Sequence, residues 1–226
     1  MGPRGDAIAQ MDWSTGEVLK ELRKLGLEDN TLLVFTSDNG PVLDDGYEDK
    51  AEQLVGNHRP GGPFKGGKYS AYEAGTRVPT IVYWPSQVKP GISRALVSQV
   101  DLYASFAALV NHALLANEAP DSFNTLEAFT GKSEMGRESL LEESFTFSLR
   151  QGYFKYILPQ TTATPNWLVN KHIATGLSKE GQLYDLKNDV SERDNLLKQH
   201  PAVGQQLQTR LKAMMKTKGT RPSFSN

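Results

Sequence analysis

A short apolar run, Leu32-Leu33-Val34-Phe35-Thr36, stops abruptly on Ser37-Asp38-Asn39-Gly40, and no other stretch constrains the fold as much. A continuous run of this length is expected of a strand buried on both faces of a sheet that also carries helices. The preceding residues, 5–25, place Ile8, Met11, Val18, Leu19, Leu22 and Leu25 at three- and four-residue steps, which predicts an amphipathic helix. Gly26 follows as a C-terminal cap. A helix feeding a buried strand predicts an α/β architecture, and in open α/β sheets ligands gather beyond the carboxyl ends of the strands. Ser37–Gly40 sits at such an end.

Composition narrows the functional classes. The 226 residues carry a formal net charge of -1, which argues against a nucleic-acid binder that works by neutralising phosphates. There is no cysteine, so disulfides, thiolate metal sites and cysteine nucleophiles are excluded within the chain. No apolar run reaches the length of a membrane span; Asp101–Ala116 is interrupted by Asn111 and His112 and reads as a core helix from about 101 to 115. Met1–Trp13 has no apolar leader core, and the compartment is left open.

Further along, residues 41–62 form a polar excursion with an acidic cluster between Asp44 and Asp49. Arg59–Pro85 then places four glycines within residues 61–67, between Arg59 and Lys68. Pro79–Trp84 reads as a second strand. After an irregular stretch at 117–144, Phe145–Leu158 predicts two alternating strands around Gln151-Gly152, and Gly181–Leu186 a third. Val203, Leu207, Leu211 and Met214 predict a helix over 201–216. The expected organisation is a mixed sheet flanked by helices over 1–130 and a small C-terminal antiparallel sheet plus helix over 131–226.

Asp38 and Asn39 present carboxylate and amide oxygens on adjacent residues, the donor types that hard divalent cations such as calcium favour; the amide is a poor choice for zinc, which favours His, Cys and carboxylate. The alternative is a simple Asp-Asn-Gly turn. Lys68, flanked by glycines, offers a compact positive charge to an anionic ligand, or is an exposed loop lysine. Gly62–Lys68 matches a phosphate-binding loop only as far as the lysine, because Tyr69 stands where a Ser or Thr hydroxyl is needed. His58 and Arg59 could meet a substrate from the loop. Glu73 and Arg77 read as a structural ion pair. His112 reads as structural, while His172 and His200 have no partners in the sequence.

Taken together, "DNTLLVFTSDNG", "GPFKGGKYSAYEAGTRVPTIVYWPSQVKPG", "DLYASFAALV" and "GYFKYIL…GQLYDLKNDVSERDNLL" resemble, in order and spacing, the second half of a type I, arylsulfatase-like sulfatase. The resemblance covers nearly the whole chain and implies the alkaline-phosphatase-like fold. It implies that Asp38 and Asn39 ligate one calcium ion and that Lys68 contacts the sulfate of a sulfated carbohydrate or aryl sulfate. The family's formylglycine is made from the first residue of a Cys/Ser-x-Pro-x-Arg motif, and this chain has none. The family's N-terminal acidic metal ligands are also missing. The chain is therefore expected to be the C-terminal part of a sulfatase whose N-terminal part is its partner. Two other readings stay open: a related phosphatase or phosphodiesterase, which typically has His where Asn39 stands, and an inactive fragment or interaction module.

Overall fold

The computed structural model describes residues 2–169 and 171–221. In chain order the elements are α1 (Gly2–Lys24), a 3₁₀ turn (Glu28–Asn30), β1 (Leu33–Thr36), α2 (Ala51–Leu54), α3 (Glu73–Thr76), β2 (Thr80–Tyr83), α4 (Asp101–Leu109) and α5 (Leu126–Phe129). They continue with β3 (Ser139–Glu143), β4 (Phe147–Gln151), β5 (Phe154–Ile157), α6 (Asn166–Val169), β6 (Gln182–Asp185) and α7 (Pro201–Met214). The result is a mixed α/β chain with antiparallel sheets. No described helix is long and apolar enough to cross a membrane. The chain groups into two compact units: residues 1–88 together with 163–175, and residues 89–162 together with 176–226. The N-terminal run of the first unit ends at Val88, and its second run, 163–175, falls within the 131–226 segment read from sequence.

In the first unit β1 pairs antiparallel with β2, Leu33 opposite Tyr83 and Thr36 opposite Thr80. All four residues of β1 are half-buried, which corrects the expectation of a strand buried on both faces. The physical reason is that this sheet has two strands, and α1 buries none of its residues. The α1 stripe of Ile8, Met11, Val18 and Leu25 is about half exposed. The C-terminal end of α1 is tied to the sheet by polar contacts: Arg23 Nε donates to Glu28 Oε1 at 2.8 Å, and the Tyr83 hydroxyl bonds the same oxygen. That hydroxyl, and then Arg23, hold the Glu28 carboxyl below the usual range.

In the second unit β3-β4-β5-β6 form a meander. Its register aligns Leu141, Leu149, Tyr156 and Leu183 as one cross-strand row. The strand period of two puts this row on a single face, and Leu207 and Leu211 of α7 pack against it. Pro201 at the start of α7 needs no N–H there, and Lys212 in its last turn suits the helix dipole. On the opposite face Lys155 is fully buried, its ammonium 3.2 Å from Glu142. α4 is shorter than predicted: it ends at Leu109, and Asn111 adopts a left-handed backbone (φ 56°) that stops the helix. His112 therefore lies outside α4 and is exposed, not a structural core residue as expected.

Asp101 at the head of α4 is fully buried. Its carboxylate accepts the Ser98 N–H at 3.0 Å and the Phe123 N–H at 2.9 Å. It also accepts the Arg137 Nε–H at 2.8 Å, and the guanidinium lies 4.1 Å from the Phe123 ring centroid. Removing one partner of such a pair leaves a buried charge uncompensated. Arg137→Met is expected to lower unfolding free energy by about 3–5 kcal/mol in urea titrations. Arg193→Met, at an exposed position, should change it by no more than about 0.5 kcal/mol.

Candidate functional site

β1 delivers the chain into Ser37–Gly40, where the turn is locked by its own polar groups. The Ser37 hydroxyl donates to Asn39 O at 3.1 Å, and Asn39 Nδ2 donates to Gly40 O at 2.9 Å. Tying back the amide nitrogen leaves Asn39 Oδ1 as the available oxygen. The Asp38 carboxylate is exposed and makes no hydrogen bond or ion pair among the described residues. Gly40 is buried and its N–H donates to Gly75 O at 2.9 Å. A Cβ at Gly40 would lie 1.5 Å from Ala74 O, so only glycine lets the two backbones meet.

A second backbone bond completes the attachment. Lys68 N–H donates to Pro41 O at 2.8 Å. A Cβ on the preceding Gly67 would sit 2.4 Å from that same oxygen. The Asp38-Asn39 turn and the Lys68 loop are thus clamped together through main-chain atoms. The Lys68 side chain is half-buried and makes no hydrogen bond or ion pair among the described residues; its ammonium lies 5.3 Å from the centroid of the Tyr69 ring. Tyr69 holds a left-handed backbone (φ 75°), a conformation rare for a bulky residue and one that concentrates at ligand sites.

His58 and Arg59 stand in the turn that follows α2, both exposed and, among the described residues, without side-chain hydrogen bonds or ion pairs. Glu73 and Arg77 do form the expected ion pair, at 3.1 Å, with Glu73 buried and Arg77 stacked 4.4 Å from the Phe64 ring centroid. The pair braces α3, which carries Ala74 and Gly75 against the Asp38 turn. His200 precedes α7 and lies against Phe154, with ring centroids 6.4 Å apart.

Residues 163–175 were not read as part of a site from the sequence, yet they return to the Lys68 loop. The buried Ser70 hydroxyl donates to Ala174 O at 2.7 Å, and Ala71 N–H donates to Thr175 O at 2.8 Å. Trp167 meets Tyr69 edge to face, with centroids 5.2 Å apart. Lys171 Nζ donates to Asp44 O at 2.7 Å. These partners are about a hundred residues apart, and neither segment carries a periodic signal that would announce the pairing.

An unpaired carboxylate with an adjacent amide oxygen suits a hard cation, and an unpaired ammonium on a clamped neighbouring loop suits an anion. The donor chemistry at Asp38 and Asn39 fits calcium, but two residues fall short of its six to eight ligands. Among the described residues no group of three or more His, Cys, Asp or Glu side chains is placed to hold a metal ion. Formylglycine does not fit this chain, which has neither a cysteine nor a Ser-x-Pro-x-Arg sequence from which to make it.

The family model described as Sulfatase matches residues 1–112. An N-acetylgalactosamine-6-O-sulfatase of Bacteroides thetaiotaomicron is 45% identical over 216 residues, covering 95% of this chain and 42% of the relative. The chain belongs to the sulfatase family. Human arylsulfatase A is 31% identical over 210 residues, covering 87% of the chain and 39% of the enzyme. A solved structure described under the metabolism of multiple glycosaminoglycans by Bacteroides thetaiotaomicron superposes with a TM-score of 0.90 at 45% identity. It covers 94% of this chain and 44% of the other. The fold is accordingly the sulfatase version of the alkaline-phosphatase-like fold, and the chain spans less than half the length of the relatives it matches.

The clamp makes a direct prediction for this sulfatase-family chain. Gly40→Ala should destabilise it by about 3 kcal/mol or more, because neither backbone at the contact can retreat cheaply. Gly16→Ala, in open space on α1, should instead stabilise it by about 0.5–1 kcal/mol. Urea unfolding of the two variants checks both signs.

Proposed function

We propose that this chain supplies part of the active site of a sulfuric ester hydrolase that acts on a sulfated sugar. The observation that carries the reading is the clamp joining an unpaired Asp38 carboxylate to an unpaired Lys68 ammonium. In this reading Asp38 and Asn39 are ligands of one calcium ion, and Lys68 binds the sulfate oxygens. His58 and Arg59 reach the substrate from the turn after α2. The metal, when bound, supplies positive charge against the ester oxygens. Lys68 adds a fixed ammonium whose attraction grows as negative charge develops on the departing oxygen.

The relative from Bacteroides thetaiotaomicron is named for N-acetylgalactosamine-6-O-sulfate, so a 6-sulfated hexosamine is the first substrate class to test. The nucleophile is supplied from outside these 226 residues, along with the remaining metal ligands. The exposed apolar stripe of α1 and the exposed Ile81 of β2 offer that missing part a surface to cover.

The isolated chain is expected to bind calcium at about millimolar affinity or weaker in calorimetry, and Asp38→Ala should remove even that. It should not turn over an aryl sulfate. Combined with the unmatched, nucleophile-bearing part of the Bacteroides relative, it should gain sulfatase activity. Lys68→Ala should then cut kcat/KM by about 10²- to 10³-fold. Turnover by the chain alone that survives Lys68→Ala would contradict the assignment. Preference for a phosphate ester would favour the phosphatase reading, and a combined protein with no turnover would favour the inactive one.

A further inference from the structure

Residues 163–175 leave the antiparallel meander between β5 and β6 and belong to the first compact unit. Their attachment is tight. Leu168 is fully buried, the Ser70 hydroxyl and the Ala71 N–H hold Ala174 O and Thr175 O, and Lys171 is bonded to Asp44. The three hydrogen-bonded anchors grip the loop that carries Lys68 or the one that follows Asn39.

Two features of this segment face the outside of the anchoring. Trp167 is 47% exposed, while its ring stands edge to face against Tyr69, the residue beside Lys68. Lys68 Nζ, the Tyr69 ring and the Trp167 ring are therefore linked by successive distances of 5.3 and 5.2 Å. A cavity of about 230 Å³ opens between Pro41–Asp44, Gly61, Gly66 and Lys171–Ala174; it reaches the Lys68 loop through Pro41, whose carbonyl accepts the Lys68 N–H. Its wall includes His172, which like Tyr69 holds a left-handed backbone (φ 54°). A left-handed backbone at a non-glycine residue is uncommon and clusters at ligand sites, here at His172 in the cavity wall and at Tyr69 beside Lys68.

The chemistry of the cavity selects among ligands. Asp44 and Glu52 contribute carboxylates, and the one lysine in its wall, Lys171, already lies 3.8 Å from the Asp44 carboxylate. A second anionic group would meet uncompensated negative charge there. Apolar walls from Pro41, Val42 and Ile173 suit the C–H faces of a sugar ring, His172 offers polar nitrogens for hydroxyl groups, and the same segment carries the half-exposed Trp167 indole.

We infer that residues 163–169 and 171–175 form the sugar-recognising wall beside the sulfate position, with Trp167 as the stacking platform and His172 as a polar contact, and that the ring they take is uncharged apart from the sulfate at Lys68. This rests on the sulfate role proposed for Lys68. Lys68 fixes where the sulfate goes; Trp167 and His172 fix which alcohol it is attached to. They are specificity-determining residues, since nothing places them at the reacting atoms.

The test is an NMR titration of the full chain at millimolar ligand, following the Lys68 amide and the Trp167 indole. The probes are inorganic sulfate, N-acetylgalactosamine 6-sulfate, and glucosamine 2-N,6-O-disulfate. The monosulfated sugar should move both resonances, inorganic sulfate the Lys68 amide alone, and the disulfated sugar should bind more weakly than the monosulfated one. Trp167→Ala should weaken the monosulfated sugar roughly three- to tenfold more than it weakens inorganic sulfate. Trp167→Phe, which keeps a flat face, should restore most of the difference. Equal losses for sugar and sulfate, or tighter binding of the disulfated sugar, would overturn the inference. Movement of Trp167 without any response at Lys68 would keep the sugar wall and overturn the sulfate role. Silence at both would overturn both.

Discussion

The Asp38-Asn39 turn and the Lys68 loop meet through two main-chain hydrogen bonds, Gly40 N–H to Gly75 O and Lys68 N–H to Pro41 O, and the rest of the candidate site depends on that contact. Main-chain bonds of this kind fix position without using the functional side chains. Asp38 and Lys68 consequently remain unpaired, although they carry opposite charges on clamped segments. Asp38 is exposed and Lys68 half-buried, so solvent can satisfy both without an internal partner. Left free, they suit a cation and an anion that come from outside.

Glycine makes the contact possible. At Gly40 the two backbones approach so closely that any side chain would overlap a carbonyl, and Gly67 repeats the constraint on the other segment. The buried run Ser70–Gly75 then serves as the common floor, with Glu73 held by Arg77. The same floor receives residues 163–175 through the Ser70 hydroxyl. One short stretch therefore positions a candidate cation site, a candidate anion site and the wall proposed to recognise the sugar.

Much of this was legible in the sequence because local physics dominated. The amphipathic period of α1, the apolar run of β1, the alternation around Gln151-Gly152 and the spacing of Val203, Leu207, Leu211 and Met214 all became the elements they predicted. The exceptions have tertiary causes. β1 is half-buried because it has one strand neighbour, and α4 stops early because Asn111 turns left-handed. Burial of Lys155 beside Glu142 was hidden, since a charged residue in an alternating strand reads as solvent-facing. The return of Trp167 and His172 was hidden for a different reason: their anchors are backbone carbonyls, which no side-chain pattern encodes.

The central claim is that the Asp38 turn and the Lys68 loop are one mechanical unit, and native-state amide hydrogen exchange tests it most directly. The Gly40 and Lys68 amides should exchange slowly, with opening free energies that agree within about 0.5 kcal/mol and respond together to added urea. The His58 amide, in an exposed turn, should exchange much faster. A Lys68 amide that exchanges at the rate of His58 while Gly40 stays protected would show that the two loops move independently, and the clamp would not be what brings cation and anion sites together.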